Sequence, residues 1–144
     1  MSNVSTKAKK PLRSYPTLEK GKGNKYIANC DEDWRAQDLL GMRTHEAAYG
    51  IYTTAISALG ELVEKHSNLA SAMFAEMEPR DAVEAMLIAQ MTATHVAQTT
   101  LLEKMTYQTS TQVRESLARS MTRVSQTYLA QMDALKKYRA NGKN

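Results

Sequence analysis

The C-terminal third of the chain carries the most regular hydrophobic pattern in the sequence. Steps of four and three residues alternate there, a spacing typical of a coiled-coil seam. The positions are Leu117, Met121, Val124, Tyr128, Gln131, Leu135 and Tyr138, with Gln131 as the polar member. A second periodic run extends from Pro79 to about Tyr107, and only the polar stretch 108–111 separates the two. Because a short connection between long helices favours antiparallel packing, the pattern predicts an all-α protein built on a long helical hairpin.

One or two further helices are predicted to pack with this hairpin. Apolar residues recur at helical spacing between residues 33 and 63. Three glycines in this run should each mark a break, a kink or a close helix crossing: Gly41, Gly50 and Gly60. We place the split at Gly41, with Thr44 as the N-cap of the next helix. Ser67 and Asn68 either lie within a continuing helix or cap a shorter one. Pro79 is then predicted to lie in the first turn of the first hairpin helix.

Residues 1–25 differ in composition from the rest of the chain. They contain two prolines, two glycines and hardly any periodic apolar positions, so they bury too little surface to offset the entropy of ordering. We therefore expect a disordered basic arm over residues 1–25, a single helical domain over residues 26–140 and a C-terminal tail over residues 141–144. A short extended segment is expected at Tyr26 and Ile27.

Charge is distributed unevenly along the chain. Residues 1–25 hold seven bases against one carboxylate, residues 26–111 have a net charge of −7, and residues 112–144 have a net charge of +5. Basic ends bind nucleic acid by displacing counterions, but they also serve as solubilising tails or fold back on an acidic middle. The cations predicted to contact nucleic acid are Lys7, Lys9, Lys10, Arg13, Lys20, Lys22, Lys25, Arg114, Lys136, Lys137 and Arg139.

The sequence carries no constellation typical of a catalytic site, and we predict no catalytic residue, no metal ligand and no cofactor. His45 and the glutamate after it begin like a zinc-protease helix, but Tyr49 stands where the second histidine is required. His95 has Gln98 and Thr99 at the positions where a second metal ligand is needed. The protein is therefore predicted not to be an enzyme.

Two further features bear on where the protein works. Cys30 is the single cysteine, so neither an intramolecular disulfide nor a cysteine-based zinc cluster can form within one chain. No run approaches the roughly 20 apolar residues of a membrane span. We expect a cytoplasmic protein with no membrane partner.

Methionine is frequent, with nine residues in the chain. A flexible thioether side chain suits an adaptable binding groove as well as an ordinary helical core. The methionines that raise this question are Met73, Met77, Met86, Met91, Met105, Met121 and Met132.

The stretch from Glu84 to His95, Glu-Ala-Met-Leu-Ile-Ala-Gln-Met-Thr-Ala-Thr-His, resembles a segment of small uncharacterised helical proteins of proteobacterial prophages and mobile elements. The later run through Tyr128, Leu129, Ala134, Leu135, Tyr138 and Arg139 is similar to the end of the same proteins. The resemblance covers less than half of the chain. It implies the cytoplasm of a bacterial cell or phage-infected host, and it implies no activity and no functional residues.

Together these features lead us to expect a non-enzymatic helical protein that self-associates and contacts DNA or RNA through its basic arms, in a phage or mobile-element process. The predicted oligomer interface is the seam of the last helix: Leu117, Met121, Val124, Tyr128 and Leu135. The alternative is a protein-binding adaptor or inhibitor, in which a methionine-rich helical groove or the acidic middle docks on a partner protein.

Overall fold

The structure is a computed structural model that describes residues 11–23 and 25–142. Its elements are strands β1 (Thr17–Lys20) and β2 (Tyr26–Asn29) and helices α1 (Ala36–Leu40), α2 (His45–Ser57), α3 (Val63–Met77), α4 (Ala82–Tyr107) and α5 (Thr111–Asn141). A single 3₁₀ turn, Gly60–Leu62, precedes α3. The fold is mostly all-α, as the periodicity predicts. None of the helices in the described part of the chain is both long and apolar enough to cross a membrane.

Helices α4 and α5 form the predicted hairpin. Ser110 caps α5, and its side chain accepts the Val113 amide proton. Midway along the pair, the Gln98 amide nitrogen donates to Ser125 Oγ at 2.7 Å. At the open end, the Tyr138 hydroxyl donates to Asp81 Oδ2 at 2.6 Å. The two helices therefore run antiparallel along their whole length.

Helix α4 begins at Ala82 rather than at Pro79, where the sequence predicted its first turn. Asp81 is the residue that caps it, because its side chain accepts the Glu84 amide proton at 3.0 Å. Before it, Glu78 ends α3 in a left-handed conformation with φ +47°. Pro79 thus lies in a short connection between two capped helices.

The glycines of the first helical run behave differently from one another. Gly41 ends α1 with φ +66°, and α2 follows directly after Thr44, so the predicted split is confirmed. Gly60, at φ +56°, lies at the break between α2 and α3. Gly50 lies inside α2 and breaks nothing. Ser67 and Asn68 lie within α3, so the alternative of a continuing helix is the correct one.

A two-stranded sheet begins in the segment that was predicted to be an arm: β1 lies within that segment, and β2 starts just after it. Strands β1 and β2 pair antiparallel, with Thr17 opposite Asn29 and Lys20 opposite Tyr26. The Leu18 amide donates to the Asn68 side chain on α3 at 2.8 Å. The expected extended segment at Tyr26 is the start of β2.

Residues just before β1 are held against the helices. Arg13 donates from one guanidinium nitrogen to the carbonyl oxygens of Leu39 and Pro79, at 3.0 and 2.8 Å. The buried Ser71 hydroxyl donates to the Pro16 carbonyl at 2.7 Å. Within the predicted arm, Arg13, Pro16 and Leu18 therefore form hydrogen bonds with residues of the helices or of the connection between α3 and α4. Residues 1–10 of the predicted arm and residues 143–144 of the predicted tail lie outside the described residues.

The core lies between the first three helices and the hairpin. Its largest buried apolar side chains are Leu39, Leu40, Phe74 and Ile88. Tyr52 of α2 packs against them. The centroid of its ring lies 6.3 Å from the ring centroid of Phe74 and 5.7 Å from that of Trp34. Leu135 is the one residue of α5 that is buried in this cluster. The end of α5 is thereby attached to the body of the protein.

Gln131 on α5 is the polar member of the seam, and its Oε1 is buried without a hydrogen-bond partner among the described residues. An unsatisfied buried polar group costs about 1–3 kcal/mol. We expect Gln131→Met, which keeps the shape and removes the amide, to raise the free energy of unfolding by about 1 kcal/mol in urea denaturation. Gln126→Met is the matched control, because Gln126 is exposed on the same helix and should leave stability unchanged. A free energy of unfolding for Gln131→Met that is no higher than that of Gln126→Met would contradict an unsatisfied amide at Gln131.

Candidate functional site

Helices α3 and α5 lie on two sides of α4 and run in the same direction. At one end, Lys65 near the start of α3 pairs with Glu103 near the end of α4, at 3.3 Å. At the other end, the carbonyl of Met77, the last residue of α3, accepts a hydrogen bond from Arg139 near the end of α5. Both helices are therefore antiparallel to α4, and a groove is left open between them.

The groove has a volume of about 830 Å³ and is mainly apolar. Its lining side chains recur at helical spacing: Leu69, Met73 and Met77 on α3, Ile88 and Met91 on α4, and Tyr128, Met132 and Leu135 on α5. Ile88 and Met91 are buried and form the floor. Leu69 and Met132 form the rim and are 37% and 44% exposed. Both rim residues are therefore large apolar side chains that stay partly exposed to solvent in the folded protein.

Four of the seven methionines that raised the question of a groove line it, namely Met73, Met77, Met91 and Met132. Met86 is exposed outside the groove, and Met105 and Met121 are half-buried. Thioether side chains adapt their shape to a partner at small cost. The sequence left core and groove as alternatives for all seven methionines. The structure places four of them in the groove.

A buried ion pair closes one end of the groove. Glu84 is 1% exposed, and its two carboxylate oxygens lie 2.5 Å from Arg139 Nε and 3.2 Å from Arg80 Nε. Arg139 also donates to the Met77 carbonyl. A buried carboxylate is tolerated only when cations and hydrogen bonds satisfy it, and here Arg139 of α5 and Arg80 of the α3–α4 connection do so. The pair joins α3, α4 and α5 at this end.

A second polar contact lies beside this pair. Burial acts to raise the pKa of Asp81, but hydrogen bonds from the Glu84 amide and the Tyr138 hydroxyl outweigh it, and the net effect is a lowered pKa. The same bond to Asp81 raises the pKa of the Tyr138 hydroxyl. Asp81 therefore stays a carboxylate, which suits its place at the N-terminus of α4.

Among the described residues, several cations predicted to contact nucleic acid are paired within the chain. Arg13 and Arg139 are bound to carbonyl groups or to Glu84 within the chain. Lys20 pairs with Glu64 and Lys137 with Asp133, all four exposed. Lys22, Lys25, Arg114 and Lys136 are exposed, and Arg114 lies about 33 Å along α5 from Lys136 at 1.5 Å per residue. Lys7, Lys9 and Lys10 lie outside the described residues.

The seam predicted as an oligomer interface lies along the hairpin. Leu135 is buried in the core, and Tyr128 packs against the same cluster. Leu117, Met121 and Val124 are half-buried on α5. At least the last part of the seam is therefore used within one chain. Self-association through these residues stays a prediction.

Sequence reasoning missed the pairing of Glu84 with Arg139 and the contribution of Leu69 and Ile88 to the groove. The hairpin register does carry a signal, because antiparallel helices joined by a short loop bring residues near 84 and 139 together. In the part of the chain that the structure describes, no three histidine, cysteine, aspartate or glutamate side chains are grouped as metal ligands.

The fold and the groove together define a class: an all-α protein whose long hairpin and third helix enclose an open apolar groove. No protein-family model matches the chain, and no curated protein and no solved structure matches it either. The groove is therefore the feature of the molecule that points to a function.

Proposed function

We propose that the protein is a non-enzymatic binding module that takes an apolar helix of a partner protein into the groove. The observation that carries this proposal is the exposure of Leu69 and Met132 on facing rims above a buried apolar floor. Covering such groups contributes about 25 cal/mol for each Å² of apolar surface removed from water. A groove of this kind is the usual receptor for an amphipathic helix with anchors at i, i+3 or i+4, and i+7.

The size of the groove suits a short helical segment. Its lining on α5 extends from Tyr128 to Ala140, which is about 18 Å at 1.5 Å per residue. A partner helix of about 12 residues covers that length. We place this partner in the phage or mobile-element process that the resemblance implies, inside a bacterial or phage-infected cell. The protein then acts as an adaptor or an inhibitor of that partner.

Nucleic-acid binding is the competing proposal. Its support is the basic character of both ends of the chain, including the exposed Lys22 and Lys25. Against it, Arg13 and Arg139 form contacts inside the protein, and Lys20 and Lys137 pair with carboxylates of the same chain. The groove therefore has the stronger support, and nucleic acid becomes an outcome of the test.

The test follows methionine methyl signals by NMR while a synthetic helical peptide with leucine at i, i+4, i+7 and i+11 is added. We expect the signals of Met73, Met77, Met91 and Met132 to shift, because these side chains line the groove. The signals of Met86 and Met105 should stay in place. Addition of a short DNA duplex in a parallel experiment should move none of the groove signals.

Paired variants sharpen this test. Met132→Glu should weaken peptide binding about tenfold or more, since it puts a charge on the apolar rim. Met86→Glu makes the same change at a site with the same exposure, 45% against 44%, but outside the groove, and should leave binding unchanged. If the peptide moves no groove signal while the duplex binds, the proposal is wrong and nucleic-acid binding replaces it. If Met132→Glu instead dissociates an oligomer of the free protein, the occupant is a second copy.

A further inference from the structure

We propose that the helix bound in the groove carries carboxylates near its N-terminal end and runs parallel to α4. This inference rests on the proposed function, and it specifies the chemistry and direction of the partner.

The charged lining of the groove is cationic. Lys136 and Arg139 line its end beside Met77, and among the described residues no carboxylate lines it. Arg139 is already neutralised by the buried Glu84. Lys136 is exposed and makes no ion pair within the described part of the chain. A partner that places a carboxylate beside Lys136 gains an interaction that a neutral or basic partner lacks.

The direction follows from the ends of the flanking helices. Helix α3 ends at Met77 and α5 ends at Asn141, so both C-termini lie at the Lys136 end of the groove. The C-terminus of a helix carries a partial negative charge and the N-terminus a partial positive charge, so two C-termini beside the single N-terminus of α4 favour the N-terminus of a further helix at this end. A bound helix that starts there is antiparallel to α3 and α5, as α4 is, and completes a four-helix arrangement. Acidic residues are also favourable in the first turn of that helix.

The chain's own N-terminus does not fit this description. Residues 1–10 contain Lys7, Lys9 and Lys10 and no carboxylate, so they match the sign of the groove lining instead of complementing it. Their only apolar residues are Met1, Val4 and Ala8. A separate acidic, amphipathic helix is the better occupant.

Three capped peptides of about 12 residues test the inference. All share the same leucine positions; one has glutamates in its first two turns, one has them in its last two turns, and one has lysines in its first two turns. We expect the first peptide to bind about tenfold more tightly than the third at low salt, with the second between them. The advantage should shrink at high salt, because the carboxylates and Lys136 are exposed to solvent.

Charge reversal identifies the responsible residue. Lys136→Glu should abolish or invert the preference for the first peptide, whereas Lys137→Glu, the same change one position away and outside the groove lining, should keep it. The ratio between peptides is compared across these proteins, so differences in the peptides' own helix content cancel. A nitroxide at the N-terminus of the first peptide should broaden the methyl signal of Met77 more than that of Met121.

The outcomes separate the two proposals. If none of the peptides binds, the proposed function fails and this inference fails with it. If all three bind equally in the wild-type protein, the groove binds helices and the inference alone is overturned. Stronger broadening at Met121 than at Met77 would overturn the proposed direction.

Discussion

Gly41→Ala is expected to lower the free energy of unfolding by about 3 kcal/mol or more, the largest effect of any glycine substitution in the helical body. Gly41 has φ +66°, where an alanine costs about 1–2 kcal/mol. An added Cβ would also stand 1.9 Å from the Pro79 carbonyl oxygen and 2.7 Å from its carbonyl carbon. Those atoms belong to the backbone, and the same oxygen accepts a bond from Arg13, so relief requires α1 to move away from the α3–α4 connection.

Two other glycines serve as controls in the same urea denaturation series. Gly60 has φ +56° but no atom within 4 Å of an added Cβ, so Gly60→Ala should cost only about 1 kcal/mol. Gly50 lies in α2 with open space around it, and Gly50→Ala should raise stability by up to about 1 kcal/mol through helix propensity. Equal losses for Gly41→Ala and Gly60→Ala would show that the contact with Pro79 is unimportant.

Arg139→Ala is the second change for which we expect a large effect, a loss of about 3 kcal/mol in the free energy of unfolding. It leaves the buried carboxylate of Glu84 with only Arg80, whose side chain is half exposed, and it removes the donor to the Met77 carbonyl. Arg123→Ala on the same helix is the matched control. Because Arg123 is exposed and forms no ion pair among the described residues, its removal should change stability by less than about 0.5 kcal/mol.

A double-mutant cycle shows whether the loss comes from the pair. The double variant Glu84→Leu/Arg139→Met should lose less stability than Glu84→Leu and Arg139→Met lose when their separate losses are added. The reason is that each single variant leaves one partner of the pair without the other, whereas the double variant removes both. Additive losses, or an Arg139→Ala variant as stable as Arg123→Ala, would contradict a stabilising role for the pair.

The Glu84–Arg139 pair also helps to set the width of the groove at one end. Arg139 joins the end of α5 to α3 through the Met77 carbonyl and to α4 through Glu84. These bonds hold the two sides of the groove at a fixed separation at the end where Lys136 lies. Loss of the pair is therefore expected to weaken peptide binding as well as stability, whereas Met132→Glu should weaken binding alone.

The hairpin and the first helix break were determined by sequence alone. The repeat from Leu117 to Tyr138, the polar connection at 108–111 and the Gly41–Thr44 split all act over a few neighbouring residues. Helix periodicity and capping are local properties, so they can be recognised without knowledge of the rest of the chain. This is why the start of α2 and the bounds of α4 and α5 agree with the sequence prediction to within a few residues.

Only the tertiary structure decided how these elements meet. The bond from Arg13 to Pro79 joins residues 66 positions apart, and the Glu84–Arg139 pair joins residues 55 positions apart. Nothing in the neighbourhood of Arg13 marks it as a structural residue rather than a free cation. The same holds for the four groove methionines, which share one surface only because α3 and α5 lie on two sides of α4. Local patterns fix the helices, whereas charge pairing and apolar burial between distant residues fix the groove.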